Sequence, residues 1–339
     1  MTGMRILTSA PDAVIDPSSG APRFGSYSGA VRSVDLASMA RGRLHRIARE
    51  KRWMYVAIAS ENTFVAMAIV RLGYAATCFA YALDARAMRM IATRSVVAPA
   101  TSARVSDRTS DGSIARFDFG STHARIERPR DNSAYDIAAH FSDFELRARI
   151  DTARAPPAIT AIAPIGTDRA RLANVTEKRA LLAATGDLVV AGQRYPLDGA
   201  LAGYDYTHGL LARRTIWRWA FALGHAKTGE RVGFNLVQGF VGEPECAAWV
   251  DGELFPLTEG RFAFDRDRPL AEWRVSTADG AVDLKFAPAG MHSEDKNLGL
   301  IASKFVQPCG LYSGTLRVGG KELVLERVLG VTEDQDVLW

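Results

Sequence analysis

The sequence predicts an all-β protein: two consecutive antiparallel β-barrels or strongly curved sheets, preceded by one short helix. Three observations carry this. From Trp53 onward, segments of five to ten mostly apolar residues alternate with turn signals, and long amphipathic helices are absent. Those segments are joined by dipeptides that supply the positive φ of tight hairpins: Asp111-Gly112, Asp251-Gly252, Asp279-Gly280 and Gly319-Gly320, with Lys227-Thr228-Gly229 between two longer strands. A faint internal echo then suggests a duplicated unit, because Trp53 is followed by Gly73 twenty residues later and Trp219 by Gly239 at the same distance.

The elements follow in order. Residues 1–50 read as an arm rich in Gly, Pro and Ser, ending in a helix whose Met39, Leu44, Ile47 and Ala48 fall near helical spacing. Residues 51–155 read as the first β-unit. Pro156, Pro157 and Pro164 oppose a regular ladder, so 156–174 reads as a linker. Residues 175–339 read as the second β-unit.

Composition excludes several classes of function. The chain has 339 residues, 47% hydrophobic and 24% charged, which suits a globular protein with a sizeable core. Its formal charge of +4 is dispersed, without the basic stripe and interleaved aromatics of a nucleic-acid binder. Cys78, Cys246 and Cys309 fit neither a disulfide framework nor a zinc pattern and read as buried thiols of a reducing cytoplasm. The apolar region Trp53–Leu83 is broken by Glu61 and Arg71, leaving no run of the ~18–20 residues that a membrane helix needs. The first 25 residues hold no apolar run of signal-peptide length. His45, His123, His140, His208, His225 and His292 never fall at metal-ligand spacing, and no nucleophile elbow, phosphate loop or dinucleotide fingerprint is present. The expectation is a soluble, cytoplasmic protein with no metal and no cofactor, whose partner is a small hydrophobic molecule.

The stretch "GYDYTHGLLARRTIWRWAFALG", Gly203 to Gly224, concentrates the chemistry. Asp205, Tyr206 and His208 put a carboxylate, a phenol and an imidazole in one segment, read as a loop at the mouth of the second barrel. They are the candidate acid–base residues, with Arg214 as the nearest cation. As a strand, the residues that follow place Trp217 and Trp219 on one face as a ligand wall. Asn235 on the antiparallel neighbour would be a polar anchor. Glu243 and Trp249 in "GFVGEPECAAWVDG" and Glu333 in "GVTEDQDVLW" complete the candidate ligand-binding set. A carboxylate in an apolar barrel mouth would have its pKa raised and could act as an acid. Each assignment has a plainer alternative: a capped turn for Asp205 to His208, core packing for the tryptophans, solvated loops for the acids.

Taken together, "KRWMYVAIA", "RLGYAAT", "NVTEKR", "LDGALAGYDYTHGLLARRTIWRWA", "GFNLVQGF", "WVDGELFPL", "SKFVQP" and "GVTED" resemble the bacterial family of unknown function DUF 2804 over nearly the whole chain. That resemblance implies no settled activity. The family pattern would put His after "GVTED", where this chain has Gln335, which places an acid–base role at the C-terminus in doubt. In architecture the two Trp-lined units are similar to the tandem lipocalin-like (calycin-like) barrels of carotenoid hydratases and some fungal cyclases, which act on polyene-like or terpenoid substrates. The resemblance implies a protein that encloses a small hydrophobic ligand, as a cofactor-free lyase, hydratase or isomerase. The alternatives are a non-catalytic lipid-type carrier and a carbohydrate-active β-sandwich.

Overall fold

A computed structural model describes residues 6–166, 172–297 and 302–339. They form two curled, barrel-like antiparallel sheets and one α-helix, Arg43–Arg49. The helix stands where the spacing places it, but Leu44 is 81% exposed, so its apolar stripe does not face the core. Met39 lies ahead of it, buried in the 3-10 turn Ala37–Met39.

In the first sheet the strand Glu50–Ala59 occupies the centre. On one side it pairs with Thr63–Leu72, followed by Ala75–Asp84 and Arg89–Pro99. On its other side lie Ala200–Leu210, Ala173–Val190, Phe144–Asp151 and then a meander back to Ala103–Val105. The second sheet repeats this plan. Arg214–His225 pairs with Arg231–Gly239, which leads on to Ala247–Val250 and Glu253–Pro256. On its other side lie Lys321–Leu338, Ala302–Val318 and Val282–Asn297. In each sheet the first long strand therefore pairs with the last. The Gly319-Gly320 turn joins its two strands with φ of 57° and 75°, as a type I′ hairpin requires.

The division expected at 156–174 is corrected by the sheet pairing. Ile159–Pro164 is a strand of the first sheet, hydrogen-bonded to Ala173–Val190 and to Gly25–Ser28, while 167–171 lie outside the described residues. Pro156 and Pro157 precede that strand and Pro164 ends it, positions where a missing N–H does no harm. The two sheets part between Leu210 and Arg214 instead, so 175–210 belongs to the first sheet.

Strand alternation distributes the core. Along Glu50–Ala59, Met54, Val56 and Ile58 face the interior of the first sheet, whereas Tyr55, Ala57 and Ala59 face the second sheet, with Trp219 and Phe221 in the same cluster. Contact between the sheets is close: a Cβ on Gly203 would stand 2.4 Å from the Phe221 ring. The three cysteines are buried and unpaired. Among the described residues no helix is long and apolar enough to cross a membrane, and no group of three or more His, Cys, Asp or Glu could hold a metal ion.

Candidate functional site

The face-to-face packing leaves a cavity of about 260 Å³ between the sheets. Its walls are aromatic because both first strands send their large residues there: Trp53 and Tyr55 from one, Trp217 and Trp219 from the other, with Phe79, Phe240 and Phe305 around them. Trp53 and Trp217 stack at 6.2 Å with planes 13° apart, and Phe240 leans on both at 6.4 and 5.4 Å. Tyr55 meets Trp219 edge to face at 5.2 Å.

Into this apolar space project two carboxyl groups on the closing strands, Asp205 and Glu333, each less than a tenth exposed. Asp205 accepts a hydrogen bond from Trp53 Nε1 at 3.3 Å and forms an ion pair with Lys178, directly opposite it on Ala173–Val190. Lys178 Nζ also lies 3.3 Å from Glu245. Burial opposes the Lys178 charge, but the two carboxylates beside it outweigh burial and raise its pKa. Burial likewise raises Glu245, against the pull of Lys178. Asn235 holds this corner together: its Oδ1 accepts from Trp219 Nε1 at 2.6 Å and its Nδ2 donates to the Glu245 carbonyl at 2.9 Å.

Glu333 sits differently. Trp217 Nε1 donates to one carboxyl oxygen at 2.6 Å and Gln307 Nε2 to the other at 2.5 Å. Tyr81 in turn donates to Gln307 Oε1 at 2.6 Å, and its hydroxyl lies 3.1 Å from that of Tyr55. No cation pairs with Glu333 among the described residues. Burial pushes its pKa up to about 8, against the two hydrogen bonds it accepts and with Asp205 adding to the rise. Burial thus favours the protonated acid at neutral pH. The rim of the cavity is polar. Lys296 pairs with Glu294 at 2.5 Å, and Gln335 donates to Ser303 at 3.0 Å. There burial works against the Glu294 charge, but hydrogen bonds from His292, Lys296 and Ser95 outweigh it and hold the carboxyl at about 2.

A family model described as a domain of unknown function, DUF2804, matches residues 7–339. The chain belongs to the DUF2804 family. Among solved structures this DUF2804 protein is similar to a putative AttH from Nitrosomonas europaea, at 13% identity over 84% of this chain and 92% of that one, with a TM-score of 0.53, which shows the shared fold. Kievitone hydratase from Nectria haematococca aligns at 12% identity over 87% and 90% of the two chains, with a TM-score of 0.49. No curated protein matches the chain.

The sequence expectations for the DUF2804 site divide by strand geometry. Asp205, Trp217, Trp219 and Glu333 line the cavity. Tyr206 and His208 do not join Asp205. The segment is not a loop but part of the buried strand Ala200–Leu210, so neighbours alternate faces. Tyr206 and His208 look into the first sheet, where Tyr206 donates to the Ser106 carbonyl at 3.0 Å and His208 Nε2 binds Glu50 at 3.0 Å. Burial pushes the His208 pKa down to about 4, leaving a neutral imidazole. Arg214 is exposed and pairs with Asp336 at 2.6 Å, outside the cavity. Glu243 is exposed on the 3-10 turn Glu243–Glu245, whose other end supplies the buried carboxylate. Trp249 is core, donating to the Pro157 carbonyl at 2.8 Å. Asn235 braces Trp219 from behind. Lys178, Gln307 and Trp53 were not among the sequence candidates, and Glu245 stood out only as a member of the acidic segment from which Glu243 was chosen. For Lys178 a signal exists: the charged triplet Glu177-Lys178-Arg179 falls within a long, largely buried strand, and a charge there needs a buried partner.

Proposed function

We propose that this protein encloses a small apolar molecule between its two sheets and catalyses proton transfer on it without a cofactor, as a hydratase, lyase or isomerase acting on a carbon–carbon double bond. The observation that supports this most is the pair of unlike carboxyl groups in one aromatic cavity: Glu333 protonated, Asp205 ion-paired with Lys178. One buried carboxyl that favours its proton and another paired with a cation suit concerted acid and base roles. In a hydration, Glu333 gives its proton to one alkene carbon, water adds its hydroxyl to the other, and Asp205 takes the proton that water releases. In an isomerisation the same two groups deliver and remove protons at different carbons. The aromatic walls exclude bulk water and hold a flat unsaturated skeleton. The solved structures support the fold only. Cys78, Cys246 and Cys309, all unpaired, suit a reducing compartment such as the cytoplasm.

Two measurements test the proposal. N-phenyl-1-naphthylamine, a neutral apolar fluorophore, should bind with a blue shift and lose affinity in Trp217→Ala. Protein incubated in D2O with an extract of unsaturated small molecules should give at least one compound either the added mass of one D2O or the replacement of one carbon-bound H by D, absent with Glu333→Gln. Dye binding with no deuterium transfer to any compound would favour the carrier reading.

A further inference from the structure

The two carboxyls occupy the same place in two copies of one plan. In each sheet the first long strand pairs with the last, and across that pair Tyr55 stands opposite Asp205 while Trp219 stands opposite Glu333. Two residues before Tyr55 and before Trp219 there is a tryptophan. Each donates its indole N–H to the carboxyl of its own half, Trp53 to Asp205 and Trp217 to Glu333, and the two indoles stack on each other. On the far side of each closing strand the next strand contributes one more contact. Lys178 is the register partner of Asp205. In the second sheet the pairs Val306–Asp334 and Cys309–Val331 share one register, which puts Gln307 opposite Glu333. The correspondence is therefore Trp53 with Trp217, Tyr55 with Trp219, Asp205 with Glu333 and Lys178 with Gln307. It is offset by two residues from the echo in the sequence, which matched Trp53 to Trp219.

We infer that the cavity is an internally duplicated carboxyl site in which a single position, Lys178 in the first half and Gln307 in the second, decides which carboxyl serves as base and which as acid. The roles rest on the reading under Proposed function; the assignment of protonation does not. The two carboxyls share the indole donor, the burial and the cavity. What separates them is a cation directly across the strand pair in one half and an amide in the other. A cation at that distance favours the carboxylate, whereas a neutral donor in a buried site leaves desolvation to keep the acid protonated. Gln307 is also fixed in orientation, because Tyr81 donates to its oxygen and so turns its NH2 toward Glu333. The other titratable groups that act on Glu333 are Asp205 and Lys178 across the cavity, with Tyr55, Tyr81 and Cys309 nearby and Glu245 beyond Lys178. Lys178 and Gln307 are thus positioning residues, acting through the carboxyls.

Carboxyl-carbon NMR titration of the full chain labelled with 13C at Asp and Glu tests this without a substrate. Wild type should show a resonance titrating near pH 8, the one missing from Glu333→Gln. In Gln307→Lys that midpoint should fall by about 2 pH units or more. In Lys178→Gln, where the cation is replaced by the amide of the other half, a second carboxyl should hold its proton to higher pH than in wild type. Near-UV circular dichroism confirms that each variant is folded, and either variant alone suffices should the other fail to fold. A Glu333 midpoint unmoved in folded Gln307→Lys, or a Lys178→Gln spectrum in which no second carboxyl holds its proton to higher pH, overturns the inference. Midpoints that move as expected while no compound takes up deuterium support it and refute only the catalytic reading.

Discussion

Glu333 is the residue on which the chemistry turns, and its protonation has a cost visible in stability. Its pKa rises from 4.5 in the unfolded chain to about 8 in the cavity. Between those values the folded protein holds a proton that the unfolded chain has already released, so stability falls as pH rises through that window. Glu333→Gln keeps the shape of the side chain and one accepting oxygen, loses the other acceptor, and removes the titration. Its melting temperature should therefore drop less than that of wild type between about pH 5 and about pH 9, measured by calorimetry. Deuterium transfer should fall by roughly 10² to 10⁴ if Glu333 is the acid. His208→Ala should do the reverse: lower stability by about 1–3 kcal/mol, because buried Glu50 loses a partner, and leave deuterium transfer unchanged. Loss of transfer in a folded His208→Ala would restore the acid–base triad expected from sequence. At this scale Trp217, Trp219, Asp205 and Glu333 were legible as chemically distinctive side chains, the first three in one short segment and Glu333 in an acidic stretch near the C-terminus. Tyr206 and His208 misled because proximity in sequence is opposition across a strand. Gln307 was not legible at all, since its meaning comes from Glu333, 26 residues away on the next strand.

At the scale of elements, turn chemistry located the strands well. Asp-Gly and Gly-Gly pairs fix hairpin geometry locally, and the Trp217–Trp219 strand with Asn235 on its antiparallel neighbour has the expected arrangement. The boundary between sheets was not legible. Prolines near 156–164 interrupt local pattern, yet Ile159–Pro164 still pairs on both sides, because Pro156 and Pro157 precede the strand and Pro164 ends it. Long-range pairing of Ala200–Leu210 with Glu50–Ala59 closes the first sheet, and no local signal encodes a contact of that span. Gly203 marks where the sheets touch. Gly203→Val would drive a branched side chain into Phe221 and the Arg179 carbonyl, 2.4 and 2.6 Å from a Cβ there. It should cost about 1–3 kcal/mol in urea denaturation and weaken binding of N-phenyl-1-naphthylamine. A variant of wild-type stability and dye affinity would mean the sheets are not packed as described.

For the whole molecule, duplication was legible only as an echo, and the structure gives it content: two sheets of one plan meet across a shared aromatic layer. Tyr55, Phe64 and Tyr81 of the first sheet share one cluster with Trp219, Phe221 and Phe234 of the second. Neither sheet can expose that layer to water without losing much of its burial. The protein should therefore unfold in one calorimetric transition despite its two sheets; two resolved transitions would contradict the shared layer. The same layer holds the unlike carboxyls, so the central claim is that a protonated carboxylic acid sits between the sheets at neutral pH. Infrared spectroscopy of the carboxylic C=O stretch tests it most directly. Wild type at neutral pH should show a protonated-acid band that shifts in D2O, fades as pH rises through about 8, and is missing from Glu333→Gln. A spectrum at neutral pH identical in wild type and Glu333→Gln, with no such band to lose, would contradict the account.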